Sequence, residues 1–140
     1  MPPIDAALVA SELRVVLGQL VRRLRAENRL PLPQAAVLGR LDREGPSSVS
    51  ELAIAERIRP QSMAQTVGDL EREGLLARRP DPDDRRRALV ELTEQGRTTI
   101  QLDRRQREGW LARAIAEQLS VKEQASLRDA VAILRRLAES

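Results

Sequence analysis

Cysteine, histidine, tyrosine and phenylalanine are all absent from this chain of 140 residues. Without cysteine there can be no disulfide, no thiolate metal site and no cysteine redox sensor. Without histidine as well, a zinc site or a nucleophile–histidine pair is nearly impossible, and acid–base chemistry would fall to carboxylates or to Lys122, the single lysine. Trp110 is the only aromatic residue, so the core must be aliphatic. We therefore expect a protein that is not an enzyme and holds no metal or cofactor.

Long apolar runs are also lacking. None approaches the roughly 20 residues that a membrane-spanning helix needs, and the first residues do not show the basic-then-apolar pattern of a signal peptide. We therefore expect a cytoplasmic protein without a membrane partner. The 24 basic and 21 acidic residues leave a net charge of only +3. Such a small excess does not identify a nucleic-acid binder, so the distribution of charge along the chain matters more than its sum.

Apolar residues recur at helical spacing near both ends of the chain. Residues 4–28 predict a helix with one apolar stripe, and the last helix carries a second stripe. Both stripes are too long for the segment between them to cover, so the sequence predicts a partner. The first stripe consists of Leu13, Val16, Leu17, Leu20, Val21 and Leu24, and the second of Leu127, Val131, Leu134 and Leu137.

Three further helices are predicted between residues 32 and 73. Pro31 and Pro33 separate the second helix from the first, and Gly45 ends it. Residues 48–51 (Ser-Val-Ser-Glu) fit a capping box at the start of a short third helix, with Leu52, Ala53 and Ala55 inward. The fourth helix begins at Pro60 and ends before Gly74. We expect its Met63, Val67 and Leu70 to form core rather than a ligand site.

A β-hairpin and two more helices complete the predicted order. Residues 75–79 and 87–92 predict two strands around a turn at residues 80–84, since Pro and Asp favour turns. Thr93 then caps a helix that runs to about Gln118, and Ser120 begins the last one with a second capping box. The charged middle of the fifth helix is expected to be exposed, with Arg104, Arg105 and Arg107 paired with Asp103 and Glu108.

This order predicts a mainly α fold with a small β-hairpin wing: a winged helix-turn-helix lobe, residues 32–92, with additional helices at both ends. The second helix of such a turn enters the major groove by its N-terminal end. That end holds no acid before Asp69, and an acid there would repel phosphates. Gln can pair bidentately with adenine, and an Arg at the wing can enter a narrow minor groove. The side chains expected on DNA are Arg59, Pro60, Gln61, Ser62, Gln65 and Thr66, with Arg85, Arg86 and Arg87 at the hairpin tip.

Four segments together resemble the MarR family of bacterial transcription regulators. They are Ser-Glu-Leu-Ala at 50–53, Leu-Glu-Arg-Glu-Gly-Leu-Leu at 70–76, Asp-Pro-Asp-Asp-Arg-Arg at 81–86 and Leu-Thr-Glu-Gln-Gly at 92–96. The resemblance implies one domain over residues 1–140 and a homodimer in which residues 4–28 and 93–140 are the dimerisation helices. It also implies a repressor of a pseudo-palindromic operator. A small aromatic or anionic effector would release the DNA by binding between the dimer helices and the lobe.

The resemblance also assigns roles to single residues. Its wing motif falls on Asp84, Arg85 and Arg86, so that Arg86 reaches the minor groove and Asp84 shapes the wing. Three positions depart from the family pattern: Arg59 replaces a small capping residue, Gln65 replaces an Arg, and Gly68 lies inside the recognition helix. Such a cap is worth about 1 kcal/mol.

Other positions leave alternatives open. Arg22 and Trp110 are the candidate effector residues, although Trp110 could instead fill space in the dimer and Arg22 could lie on the surface with Arg23. Arg78 and Arg79 are either strand-edge charges or phosphate contacts. For the whole protein, the alternative to a DNA-binding repressor is a winged-helix adaptor that binds proteins without reading bases. An enzyme would need converging carboxylates or a lysine site, and the sequence shows none.

Overall fold

Six helices and one β-hairpin follow one another in the predicted order in the computed structural model, which describes residues 2–140. The predicted fold class, mainly α with a β-hairpin wing, is thereby confirmed. The elements are α1 (Ala6–Arg25), α2 (Leu32–Glu44), α3 (Val49–Glu56), α4 (Pro60–Arg72), β1 (Leu76–Pro80), β2 (Ala88–Leu92), α5 (Glu94–Gln118) and α6 (Val121–Ala138). None of the helices within these residues is long and apolar enough to cross a bilayer.

The helix starts follow the local chemistry of the chain. At α6 the predicted capping box is complete, because Ser120 and Glu123 each bond the other's backbone N–H. At α3 only half of it forms. The Ser48 hydroxyl accepts the Glu51 N–H at 3.1 Å, but the Glu51 carboxylate turns instead to the Ser47 hydroxyl, which donates to it at 3.1 Å. The complete capping box predicted at Ser48 is therefore wrong.

The turn between α3 and α4 is tight. Arg57 ends α3 in the left-handed conformation, with φ of 54° and ψ of 45°. Arg59 stands at the N-cap of α4 and gives no side-chain cap, while Pro60 supplies the first helical residue. Past the other end of α4, Gly74 takes a φ of 78°, which glycine adopts without strain. The Leu75 N–H then bonds the Leu70 carbonyl at 2.9 Å.

One aliphatic core holds α2, α3, α4, the hairpin and the first turns of α5 together. Leu38, Leu52, Met63, Leu70 and Ile100 are its largest fully buried apolar side chains. Met63, Val67 and Leu70 all belong to it, as predicted. The prediction that Ala55 points inward is wrong, since its side chain is exposed. Ile100 lies beyond residue 92, so the core extends past the range predicted for the lobe.

The hairpin begins one residue later than predicted on each strand. Its antiparallel register pairs Leu76 with Leu92 and Pro80 with Ala88. Val90 is buried, whereas Ala88 is exposed and Leu92 is half-buried, so only the middle of β2 faces the core. Ser47, just before α3, forms an isolated antiparallel bridge with Val90 and extends the hairpin toward the helices.

Gly96 fixes the path from the hairpin into α5. The Thr93 hydroxyl accepts the Gly96 N–H at 3.0 Å and donates to the Gly74 carbonyl at 2.7 Å. A Cβ on Gly96 would lie 2.1 Å from the Leu75 carbonyl oxygen. Only glycine allows this approach, which explains the Leu-Thr-Glu-Gln-Gly motif in physical terms.

The middle of α5 differs from its prediction. Asp103 is fully buried rather than exposed. Its carboxylate accepts the Arg29 N–H from the α1–α2 connection at 2.8 Å and lies 3.0 Å from the Arg107 guanidinium. Arg104 contacts Asp42 of α2 at 3.0 Å instead of the expected neighbours on its own helix. The charged run therefore attaches α5 to the lobe, although by pattern alone it resembles a solvated helix face.

The two terminal helices contain no buried residue. Apolar side chains on both remain about half exposed, and α1 makes only a few contacts with α5. The exposed apolar side chains of α1 are Leu8, Val9, Val15, Val16, Leu17, Leu20 and Val21, and those of α6 are Val121, Val131, Ile133 and Leu137. Both stripes predicted from the sequence are thus helical but uncovered within one chain.

Candidate nucleic-acid interface

The N-terminal half of α4 presents an uncharged polar surface. Its apolar face is in the core, which turns Gln61, Ser62 and Gln65 outward and leaves Thr66 half-buried. No acid lies in the first turn. The first acid, Asp69, pairs with Arg72 one turn later. The exposed end of α4 therefore combines amide and hydroxyl groups with the positive end of the helix dipole, which suits an anionic partner.

Arg59 and Pro60 precede this surface and are both exposed. The Arg59 backbone carbonyl accepts the Met63 N–H at 3.0 Å, so Arg59 is held at the helix start by its main chain. Its side chain makes no capping bond. The guanidinium can therefore extend toward a phosphate beside the N-terminus of α4.

The wing tip carries two arginines in solvent. The Arg86 side chain is 95% exposed, and its guanidinium lies 3.6 Å from the Asp84 carboxylate. Asp84 also accepts the Arg86 N–H at 3.1 Å, and its backbone carbonyl accepts the Arg87 N–H at 3.0 Å. Asp84 thus closes the tip turn around Arg86, and Arg85 is exposed beside it.

The arginines at the base of the wing each have a carboxylate partner. Arg78 on β1 bonds Glu71 of α4 at 2.8 Å, and Arg79 bonds Glu91 across the hairpin at 3.0 Å. Both act as structural charges here. Of the two alternatives that the sequence leaves open for them, this geometry favours strand-edge charges over phosphate contacts.

Arg87 has two carboxylate partners on different segments. Its Nη2 lies 2.6 Å from Glu51 at the start of α3, and its Nε donates to Asp81 at 3.0 Å. The DNA contact predicted for Arg87 stays a prediction, and in the structure its guanidinium is held between these two carboxylates. Sequence pattern missed this role because the partners lie 36 and 6 residues away along the chain, and only the fold brings them together.

These contacts move the pKa values of the groups involved. The Ser47 hydroxyl, followed by the Arg87 guanidinium, lowers the pKa of Glu51 below its usual range. The Asp83 backbone N–H has the largest effect in lowering the pKa of Asp81, and Arg87 adds to it. Glu51 and then Asp81 raise the pKa of Arg87. The cluster is therefore fully ionised at neutral pH.

The predicted effector residues do not form a shared site. Trp110 stacks under the Arg23 guanidinium, which lies 4.3 Å from the ring centroid, and Arg22 is exposed on α1. A cavity of about 260 Å³ opens nearby between α1, α2 and α5, and neither residue lines it. Its lining consists of Leu24, Arg43, Arg104, Arg107, Glu108 and Leu111. In the sequence, the i, i+3 spacing of Arg104 and Arg107 places both on one face of α5.

Within residues 2–140, no group of three or more acidic side chains is arranged to hold a metal ion.

Comparison with known proteins matches the chain and its fold to one family. The family model described as MarR matches residues 30–88. Mb0904 of Mycobacterium bovis, named an uncharacterized HTH-type transcriptional regulator, is 35% identical over 136 residues, 95% of this chain and 94% of its own. A Pseudomonas aeruginosa structure, described as a transcriptional regulator protein, is 39% identical with a TM-score of 0.85 over 99% of both chains. The PcaV transcriptional regulator of Streptomyces coelicolor, solved with its natural ligand, is 27% identical with a TM-score of 0.69 over 100% of this chain and 99% of its own.

Proposed function

Because the chain belongs to the MarR family of DNA-binding bacterial transcription regulators, we propose that it acts as a homodimeric repressor of a pseudo-palindromic operator. Its two winged lobes would occupy successive major grooves, about one duplex turn apart. A small anionic effector would bind each protomer and release the DNA. Its place of action would be the bacterial cytoplasm, where the chromosome lies.

The observation that carries the DNA-binding mode is the contrast in exposure between the arginines at the base of the wing and Arg86 at its tip. The wing-base arginines have carboxylate partners, whereas Arg86 at the tip is almost wholly in solvent. The exposed start of α4 holds no acid and offers Gln61, Ser62 and Gln65. We assign Arg85 and Arg86 to the minor groove, the α4 side chains to base edges and Arg59 to a phosphate.

The uncovered terminal helices support the homodimer. Exposed apolar side chains line both α1 and α6, and contiguous apolar patches of this kind mark protein–protein interfaces. The occupant that fits both stripes is a second copy, because a two-fold axis places α1 and α6 of one protomer against those of the other. A two-fold protein in turn requires a two-fold operator.

The cavity between α1, α2 and α5 supports release by an anion. Arg43 lies on its lining beside Arg104 and Arg107, which are already paired with Asp42 and Asp103, and Leu24 and Leu111 supply an apolar wall. That combination suits a carboxylate on an apolar or aromatic body. The cavity joins a dimerisation helix to the lobe, so a ligand seated there favours one lobe spacing over another. We propose these residues as the effector site, and the predicted Arg22 and Trp110 do not line this cavity.

A binding selection from random duplex DNA at about 150 mM salt tests the proposal. We expect an enriched inverted repeat whose half-sites are about 10 bp apart. The Arg86→Ala variant should bind the selected operator about tenfold more weakly and reduce the salt slope by about 1. Arg105→Ala, which removes the same charge from an exposed position on α5, is the matched control and should bind as the unaltered protein does.

Gln65→Ala separates base reading from backbone contact. It should change the base preferred at one position of each half-site more than it changes total affinity. If a folded dimeric protein enriches no sequence, the repressor is contradicted and the adaptor becomes the better explanation. If Arg86→Ala and Gln65→Ala both bind as the unaltered protein does, the assigned contacts are wrong even though the protein is a regulator.

A further inference from the structure

We propose that Arg87 is a positioning residue rather than a DNA contact, and that it ties the wing to the start of α3 so that Arg86 is presented to DNA at a fixed place. The inference rests on the proposed DNA-binding function. It separates Arg87, which the sequence groups with Arg85 and Arg86, from the two arginines that are assigned to DNA.

The Arg87 guanidinium spans two segments. Its Nη2 is 2.6 Å from the Glu51 Oε1 on the first turn of α3, and its Nε is 3.0 Å from the Asp81 Oδ2 at the beginning of the wing turn. The Asp81 side chain is only 8% exposed and also accepts the Asp83 N–H at 2.9 Å. One planar cation therefore connects the wing turn to a helix of the helix-turn-helix, with its donors directed to two carboxylates.

The far end of this connection is itself anchored. Glu51 accepts the Ser47 hydroxyl at 3.1 Å. The Ser47 N–H in turn donates to the Val90 carbonyl of β2 at 3.1 Å, and the Ser47 carbonyl accepts the Val90 N–H at 2.7 Å. Arg87, Glu51, Ser47 and Val90 thus close a loop between the wing and the start of α3. We call this loop the wing brace.

The wing brace matters because the hairpin has only two strands. An isolated two-stranded hairpin is marginally stable, and its tip turn would move relative to the recognition helix if nothing held it. Arg86 precedes Arg87 directly, so contacts that fix Arg87 also limit the position of the Arg86 Cα. Ordering the wing before DNA arrives removes an entropic cost that binding would otherwise carry.

The negative charge of Glu51 allows a test that distinguishes the wing brace from a simple charge effect. A carboxylate near a DNA-facing surface repels phosphates, so on electrostatics alone Glu51→Gln should tighten DNA binding. The wing brace predicts the opposite, because the variant releases Arg87 and lets the wing move. We expect Arg87→Ala and Glu51→Gln each to weaken operator binding about fivefold, the upper range for an exposed ion pair. The double variant should be no weaker than either single one.

The salt dependence distinguishes positioning from contact. Arg86→Ala removes a cation from the minor groove and should lower the salt slope of operator binding by about 1. Arg87→Ala should leave the slope unchanged, because a guanidinium already neutralised by Glu51 and Asp81 displaces no counterion from the DNA. Tighter or unchanged binding by Glu51→Gln, or a slope lowered by Arg87→Ala as by Arg86→Ala, overturns the proposal. Operator binding by the unaltered protein is measured beside them, and its failure would instead contradict the proposed function.

A measurement without DNA tests the wing brace independently of the proposed DNA-binding function. Amide hydrogen exchange over residues 81–88 should accelerate in both Arg87→Ala and Glu51→Gln, while exchange in α2 and α6 stays as in the unaltered protein. Arg86→Ala is the matched control and should not accelerate exchange in the wing. Unchanged exchange in the first two variants overturns the wing brace whatever the DNA results are.

Discussion

The winged lobe buries its aliphatic side chains within one chain, whereas the terminal helices leave theirs exposed. In the lobe, Leu38, Leu52, Met63 and Leu70 are fully buried by their own chain. In α1 and α6 no side chain is buried, although their apolar stripes are as regular as any in the lobe. Periodicity therefore states which face of a helix is apolar, but it does not state whether the same chain or another one covers that face.

Helix α5 belongs to both regions and shows where one gives way to the other. Its first turns are held in the lobe by Gly96, Ile100 and Asp103, all of them buried. From Arg105 to Gln118 none of its residues is buried. A rigid helix with one end in the lobe and the other in the proposed dimer can transmit a change in either region to the other.

Replacing Leu20 by Asp should have the largest effect and act on the terminal helices alone. Leu20 lies on the α1 stripe and is 42% exposed in one chain. A charge buried in the dimer, present twice by symmetry, should raise the dimer dissociation constant by at least about a thousandfold. Sedimentation equilibrium measures the change.

Gln19→Asp, on an exposed neighbouring position of the same helix, is the control and should remain dimeric. Equal dissociation constants for Leu20→Asp and the unaltered protein would show that this stripe is not an interface.

Gly96→Ala should break the lobe. The added Cβ would lie 2.1 Å from the Leu75 carbonyl oxygen, so strand and helix must separate. Overpacking of this severity costs about 3 kcal/mol of unfolding free energy, measurable by urea denaturation.

Gly68→Ala in α4 is the matched comparison, because its Cβ would meet only the tip of Arg72 at 3.5 Å. It should stabilise the protein by up to about 1 kcal/mol. A destabilisation of similar size in both variants would contradict the close approach at Gly96.

Asp103→Asn tests the junction between the two regions. The amide oxygen can still accept the Arg29 N–H, but the charge opposite Arg107 is lost. We expect a cost of about 2 kcal/mol, below the range for a fully buried pair because Arg107 is partly exposed. Thermal denaturation measures it at fixed protein concentration.

Glu108→Gln, on an exposed position of the same charged run, should cost almost nothing. If the two substitutions were equally mild, burial of Asp103 would contribute little to the attachment of α5.

Acid should weaken both regions slightly. The pKa values of Glu51 and Asp81 in the lobe and of Glu123 in α6 are lowered by the hydrogen bonds that they accept in the folded protein. Their contribution to stability is therefore complete above the unfolded values, about 4 for such groups, and is lost as pH falls through the lower folded values.

Urea denaturation between pH 7 and pH 3 should show a decline below about pH 4. The decline should be smaller in Glu123→Gln, which no longer gains or loses a proton there. An identical decline in that variant would show that Glu123 takes no part.

The sequence predicted the elements and their order well because local signals were strong. Pro60 marked the start of α4, Gly74 its end, and Ser120 with Glu123 the start of α6, all of them effects of neighbours within a few residues. Both strand starts were off by one residue. Leu75 was counted as strand although its N–H still bonds the Leu70 carbonyl at the end of α4, and Arg87 was counted although its N–H still bonds the Asp84 carbonyl in the tip turn.

Contacts between distant segments were what the sequence could not supply. Asp103 looked solvated because charge runs usually are, yet its partner N–H lies 74 residues away at Arg29. Glu51 was predicted as half of a capping box, but in the fold its carboxylate contacts Ser47 and Arg87 of the wing. The cavity lined by Arg43 and Arg104 joins two helices whose packing no local pattern describes. In each case the deciding partner is set by tertiary packing.

Trp110 gives the protein a built-in optical probe. With no tyrosine or other tryptophan in the chain, all of its near-ultraviolet emission arises from one indole. That indole lies on α5 against Arg23 of α1, at the contact between the lobe-anchored helix and a terminal helix. Its emission therefore follows the local polarity at that contact alone, and unlabelled protein can be titrated with DNA or small carboxylates while a single spectroscopic signal reports how α1 and α5 respond.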